Sequence, residues 1–136
     1  MEEISKIDAS ASVCMSVNNS LVCWGLETFA TEEQKQKYLV PLAKGMKDGE
    51  LHIGAFCLSE PEAGSDATSQ RTTAIDNGDH YILNGTKNWI TNGSTASIYL
   101  VIAQTDVAKG SRGINAFIVE KAWKGVSVGA KENKLG

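Results

Sequence analysis

Two short strings hold the residue types that could do chemistry in this chain. The first is Cys57-Leu58-Ser59-Glu60-Pro61-Glu62-Ala63-Gly64-Ser65-Asp66, and the second is Gly85-Thr86-Lys87-Asn88-Trp89-Ile90-Thr91-Asn92-Gly93. Each sets a hydroxyl where a strand ends or a turn begins, and the second adds a large aromatic two positions before one. A planar cofactor needs such groups: a flat apolar wall, backbone N–H donors and a few hydroxyls at its polar edge. Singly, each residue also has a plainer reading. Ser59 can satisfy backbone at a strand end, and Phe56 and Leu58 can be ordinary core. Gly64-Ser65-Asp66 can be a turn in which Asp66 accepts from backbone amides. Trp89 can be a core aromatic and Thr91 a β-former on an edge strand. Phe56 and Leu58, two apart, share one face of a strand, whereas Ile90 points away from Trp89 and Thr91.

The elements that must position these strings change character near residue 51. Before it the chain reads helical. Ile4, Ile7, Ala11, Met15 and Asn18 follow helical spacing and predict one buried stripe. Thr31-Glu32-Glu33-Gln34 reads as a capping box, Pro41 as a kink or early end, and Gly45 and Gly49 as the exit. After residue 51 the chain reads as strands over 52–59, 72–75, 81–83, 98–103 and 114–119, with another beginning at 126–128. Asp76-Asn77-Gly78-Asp79 is a hairpin signal and Asn84-Gly85 a second turn signal. This order predicts an α+β fold, N-terminal helices followed by a compact antiparallel sheet or small barrel.

Composition narrows the function classes. A chain of 136 residues, 42% hydrophobic and 21% charged, is that of an ordinary soluble domain or pieces of two. A net charge of −3 with scattered Lys and Arg leaves no basic footprint for nucleic acid. Cys14, Cys23 and Cys57 form no CxxC pair and read as reduced, buried thiols. Residues 9–26 carry no formal charge, but six Ser and Asn side chains among them exclude membrane insertion. His52 and His80 have no neighbour at metal-ligand spacing, so no metal site is expected.

Both strings resemble the two flavin-contacting segments of the acyl-CoA dehydrogenases, most closely the short-chain, butyryl-CoA-type branch. Ser16-Val17-Asn18-Asn19-Ser20-Leu21, Thr31-Glu32-Glu33-Gln34-Lys35-Gln36-Lys37-Tyr38 and Lys131-Glu132-Asn133-Lys134-Leu135-Gly136 resemble family segments too. The resemblance covers nearly all of this chain and only the middle of the family's. It implies that residues 1–50 are the C-terminal part of an N-terminal helical domain. Residues 51–136 would then be a truncated middle β-barrel domain, with a C-terminal helical bundle outside the chain.

The activity so implied is removal of two hydrogens from a short-chain acyl-CoA thioester, giving a trans-2-enoyl-CoA with FAD as the hydride acceptor. The thioester carbonyl must be polarised, because the α-C–H is otherwise too weakly acidic for a carboxylate base. By the resemblance, Phe56, Leu58, Ser59, Gly64, Ser65, Trp89, Ile90 and Thr91 are cofactor-binding residues. Ser59 would meet the pyrimidine edge, Trp89 the ring face away from substrate, and Thr91 the hydride-accepting nitrogen. Ser65 would also be a substrate-binding residue. No catalytic residue is assigned here: in the family the base comes from the C-terminal region, so Glu60 and Asp66 are rejected. Glu62 stands where the family often has Gly, and is expected to face solvent. Trp24 and Asn18 fall on helices that in the family help wall the acyl pocket, with core packing as the competing reading. The implied partners are acyl-CoA and an electron-transfer flavoprotein, in a homotetrameric parent that is cytoplasmic in bacteria or in the mitochondrial matrix. Two alternatives stand beside this: an acyl-CoA oxidase-like flavoprotein, and a non-catalytic fragment without bound FAD.

Overall fold

The computed structural model describes residues 1–134; Leu135 and Gly136, which end the last resembling segment, lie outside the described residues. The chain divides into two units. One gathers Met1–Phe56, Thr91–Tyr99 and the chain from Val119 onward, and the other gathers Cys57–Ile90 and Leu100–Ile118.

The first unit opens with α1 (Glu2–Ser5) and α2 (Ala9–Ser16), a π-helical stretch (Val17–Cys23), and α3 (Trp24–Phe29). The expected stripe does not form: Ile7 is 91% exposed, and Ala11 and Met15 are exposed too. The helix stops and restarts at Asp8. Its backbone is extended (φ −147°), and its carboxylate accepts from the amides of Ser10 and Ala11. Of the expected stripe only Asn18 is buried; this restart, and the wider turns that follow, shift the phase, so that Ser12, Val22 and Leu26 are buried with it.

Asn18 ties this helix to the head of β3 (Gly54–Cys57). Its Oδ1 accepts from the Gly54 amide at 2.8 Å, and its Nδ2 donates to the Leu42 carbonyl at 3.4 Å. Asn92 Nδ2 donates to the Gly54 carbonyl at 3.2 Å, so two asparagine side chains satisfy both backbone groups of Gly54. Asn18→Leu is expected to cost about 1–3 kcal/mol, because it orphans a buried amide. Val13→Ala, at an exposed position of α2, should stay within about 0.5 kcal/mol. Urea midpoints of the two variants check this.

The capping box forms as expected. Thr31 Oγ1 accepts from the Gln34 amide, and Gln34 Oε1 accepts from the Thr31 amide. It starts α4 (Glu32–Gln34), which runs through a π-helical stretch (Lys35–Leu39) into α5 (Val40–Lys44). Pro41 does not end the helix at once, since α5 runs on to Lys44. It sits in the first turn of α5, where the wider preceding turns relieve the crowding its ring would impose. Gly45 ends α5 with φ 71°. β1 (Met46–Lys47) and β2 (Glu50–Leu51) then pair around Asp48 and Gly49, both at positive φ, so strand structure begins five residues ahead of residue 51. The Asp-Gly pair was the signal for this hairpin.

The larger sheet has the order β3, β6 (Ile98–Gln104), β4 (Thr73–Asp76), β5 (Tyr81–Asn84), with β7 (Ile114–Glu120) also on β6. β4 and β5 are antiparallel, but β4 lies parallel to β6, with Thr73 opposite Gln104. The expectation of an antiparallel barrel is thereby corrected: the fold is α+β with a mixed sheet, and among the described residues the sheet does not close. Two chain reversals separate β4 from β6, so they run the same way. Residues 126–128 form no strand; Val126 closes a turn onto the Trp123 carbonyl, and Val128 is exposed.

Candidate cofactor site

The β4–β5 hairpin brings the two strings together. Asp76-Asn77-Gly78-Asp79 closes it: the Asn77 amide donates to the His80 carbonyl at 2.9 Å, and the Gly78 amide donates to Asp76 Oδ1 at 2.8 Å. The ladder ends with Thr73 opposite Asn84. Continued past that point, the same register sets Thr72 opposite Gly85 and Gln70 opposite Lys87. The side chains follow it. Gln70, Thr72 and Ala74 are buried, whereas Arg71 and Ile75 are exposed. Gly85 is no turn glycine: a Cβ there would lie 2.2 Å from Thr72 Oγ1 and 2.7 Å from Thr72 Cα.

Into this interior come Glu60 from the first string and Lys87 from the second, both side chains under a tenth exposed. The Lys87 ammonium donates to Glu60 Oε1 at 2.6 Å, to the Leu58 carbonyl at 3.0 Å and to Gln70 Oε1 at 3.0 Å. One residue on, the Asn88 amide donates to the Ser59 carbonyl at 2.8 Å. Glu60 also accepts from the amides of Arg71 and Thr72, and its backbone exchanges two hydrogen bonds with Ala63, closing the turn at Pro61 and Glu62. Burial alone pushes the Glu60 carboxyl up. The Lys87 ammonium and the two amides outweigh burial and hold it at about 2. A carboxylate so acidic, with both oxygens engaged, is a poor proton acceptor at neutral pH. Sequence reasoning missed the pair; its signal was two opposite charges, one in each string.

Leu58 and Ser59 are half-buried, Gly64 and Ser65 are exposed on the turn, and Ile90 is half-buried. Trp89 is 62% exposed and has φ 58°, an unusual conformation for an aromatic residue. Turns follow it over 91–95, so the strand alternation expected at 89–91 does not apply. Phe56 and Thr91, both half-buried, belong to the other unit. Asp66 accepts from the hydroxyls of Ser69 and Thr68, which hold its carboxyl below the ordinary range. Glu62 is exposed and pairs with Arg71 at 2.6 Å. Burial pushes the Cys57 thiol up to about 12, whereas Cys14 is exposed, contrary to expectation.

The residue types present are those a planar heterocycle with a polar edge could use. An indole stands exposed, hydroxyls sit at Ser59 and Ser65, and a Cβ added at Gly64 would meet nothing within 4 Å. Elsewhere, Trp24 is 55% exposed, packs edge-on against Phe29, and with Asn19, Ser20, Cys23 and Glu27 lines an open hollow of about 560 Å³. Among the described residues no group of three or more His, Cys, Asp or Glu side chains could hold a metal, and no helix is long and apolar enough to cross a membrane.

The chain is thus an α+β protein in which Lys87 and Asn88 join the two hydroxyl-bearing strings next to an exposed indole. The chain belongs to the acyl-CoA dehydrogenase family: the family's N-terminal domain matches residues 1–46 and its middle domain residues 55–136. It is 50% identical to the short-chain specific acyl-CoA dehydrogenase of Clostridium acetobutylicum, over all of this chain and 35% of that one. Butyryl-CoA dehydrogenase from Megasphaera elsdenii superposes with a TM-score of 0.92 at 48% identity, over 99% of this chain and 34% of that one. A glutaryl-CoA dehydrogenase from Mycobacterium smegmatis in complex with FADH2 superposes at 0.85 with 38% identity, over 98% and 32%. The chain thus spans about a third of the length of the curated relatives it matches.

Proposed function

We propose that this chain supplies the FAD-binding part of an enzyme that oxidises short-chain acyl-CoA thioesters to trans-2-enoyl-CoA. The observation that carries the reading is the junction of the two strings by Lys87 and Asn88. When bound, FAD would supply the acceptor for the hydrogen leaving the β-carbon. The chain's own residues bind and orient. Leu58, Ser59, Gly64, Ser65, Trp89 and Ile90 would hold the cofactor from the second unit, Ser59 at its polar edge and Trp89 against its face. Ser65 would also reach the substrate. Phe56 and Thr91 are assigned to the cofactor on the resemblance alone. Residues 1–50 are read as the end of a helical domain and 51–136 as a middle domain that closes into a barrel in the longer protein. By the resemblance, the base that takes the α-proton is assigned to another part of the parent. Electron-transfer flavoprotein is the proposed electron acceptor, and a homotetramer in the bacterial cytoplasm or mitochondrial matrix the proposed setting.

Titrating FAD against the purified chain tests this. A saturable quench of flavin fluorescence is expected, weakened at least about tenfold by Trp89→Ala, which removes the stacking surface. Butyryl-CoA is expected to drive no dye reduction by the chain alone. Absence of any saturable flavin signal would overturn the cofactor assignment, and turnover by the chain alone would overturn the placement of the base elsewhere.

A further inference from the structure

The two strings could touch a cofactor correctly only if something sets their spacing, and both are irregular backbone. Neither Ser59 nor Trp89 lies in a strand, and Trp89 is left-handed. Ladder hydrogen bonds therefore do not position them. The Lys87–Glu60 pair does what a ladder would do. Its ammonium has three hydrogens, and the structure gives it three acceptors: two from the first string, the Leu58 carbonyl and Glu60 Oε1, and the third, Gln70 Oε1, from the segment leading into β4. The next amide, Asn88, takes the Ser59 carbonyl. The backbone on either side of the Ser59 hydroxyl is thus held from the second string, by the two residues that precede Trp89. Burial of both charges raises the penalty for any arrangement in which they part.

We propose that Lys87, oriented by Glu60, is the positioning residue of the cofactor site: it sets Ser59 and Trp89 in register without touching the cofactor. The proposal rests on the FAD reading above and adds to it a residue with no ligand contact. A buried pair is not required for folding as such, since apolar or neutral replacements of similar volume often preserve stability. Its placement between two irregular segments points to geometric specificity.

The test uses the chain with Lys87→Met and with the double variant Glu60→Gln, Lys87→Met. The second removes both charges but leaves an acceptor for the Arg71 and Thr72 amides, so it keeps the test alive where the single variant unfolds. Far-UV circular dichroism establishes folding. Hydrogen exchange at the Asn88 amide, without FAD, reads the junction directly, and FAD titration reads its consequence. The double variant is expected to remain folded, to exchange the Asn88 amide at least about tenfold faster, and to bind FAD at least about tenfold more weakly. Wild-type exchange and wild-type affinity in a folded double variant would overturn the positioning role while leaving the FAD reading intact. Failure of the wild-type chain to bind FAD would overturn both.

Discussion

Lys87→Met should destabilise the protein by about 3–5 kcal/mol at pH 7, and most of that loss should disappear in acid. The substitution leaves the Glu60 carboxylate buried with only backbone amides for company, and removing one partner of a buried pair carries a cost of that size. The pH dependence follows from Glu60. In the folded protein its carboxyl is held at about 2, against an ordinary value of 4.5. A depressed carboxylate contributes stability that is fully present above the unfolded value and is lost as pH falls toward the folded one. Wild type should therefore weaken between about pH 4.5 and pH 2. In Lys87→Met the ammonium that lowers the carboxyl is gone, burial pushes it up, and protonation relieves the lone charge. The gap between the two proteins should narrow across that window. Urea midpoints at pH 7, 4 and 2.5 measure it. A gap that is constant with pH would mean that Lys87 acts through packing of its methylenes and not through its charge.

The strands of the hairpin and the capping box were legible because each is a local signal. Asp76-Asn77-Gly78-Asp79 specifies a reversal from its own residues, and Thr31 and Gln34 satisfy each other's amides across one turn. The buried stripe was not legible. Apolar spacing assumed an unbroken helix, whereas Asp8 restarts it, and of the stripe only Asn18 is buried, alongside Ser12, which the stripe did not contain. Polar burial depends on partners remote in sequence: Asn18 meets Gly54, 36 residues away, and Lys87 meets Glu60, 27 away. The parallel pairing of β4 with β6 is equally a property of the path, because single-strand patterns do not encode the direction of a neighbour. The Asp48-Gly49 hairpin was a readable signal passed over because its flanking strands are only two residues each.

Two glycines separate packing from ligand binding, and their alanine variants should behave oppositely. At Gly85 a Cβ would collide with the side chain and the Cα of Thr72, and backbone cannot rotate away as a side chain can. Gly85→Ala should therefore cost about 1–3 kcal/mol, the usual penalty of overpacking. It would push Thr72 and its amide away from Glu60, so FAD affinity should fall together with stability. At Gly64 a Cβ would meet nothing within 4 Å, and the backbone there is not in the left-handed region. Gly64→Ala should leave stability within about 0.5 kcal/mol, because nothing inside the chain requires a glycine at that turn. If the space belongs to the cofactor, the same variant should weaken FAD binding while the urea midpoint stands still. Thermal melts and FAD titrations of both variants decide it. Gly64→Ala with unchanged stability and unchanged FAD affinity would remove that turn from the cofactor site. Gly85→Ala with unchanged stability would show that Thr72 yields more easily than its close approach implies.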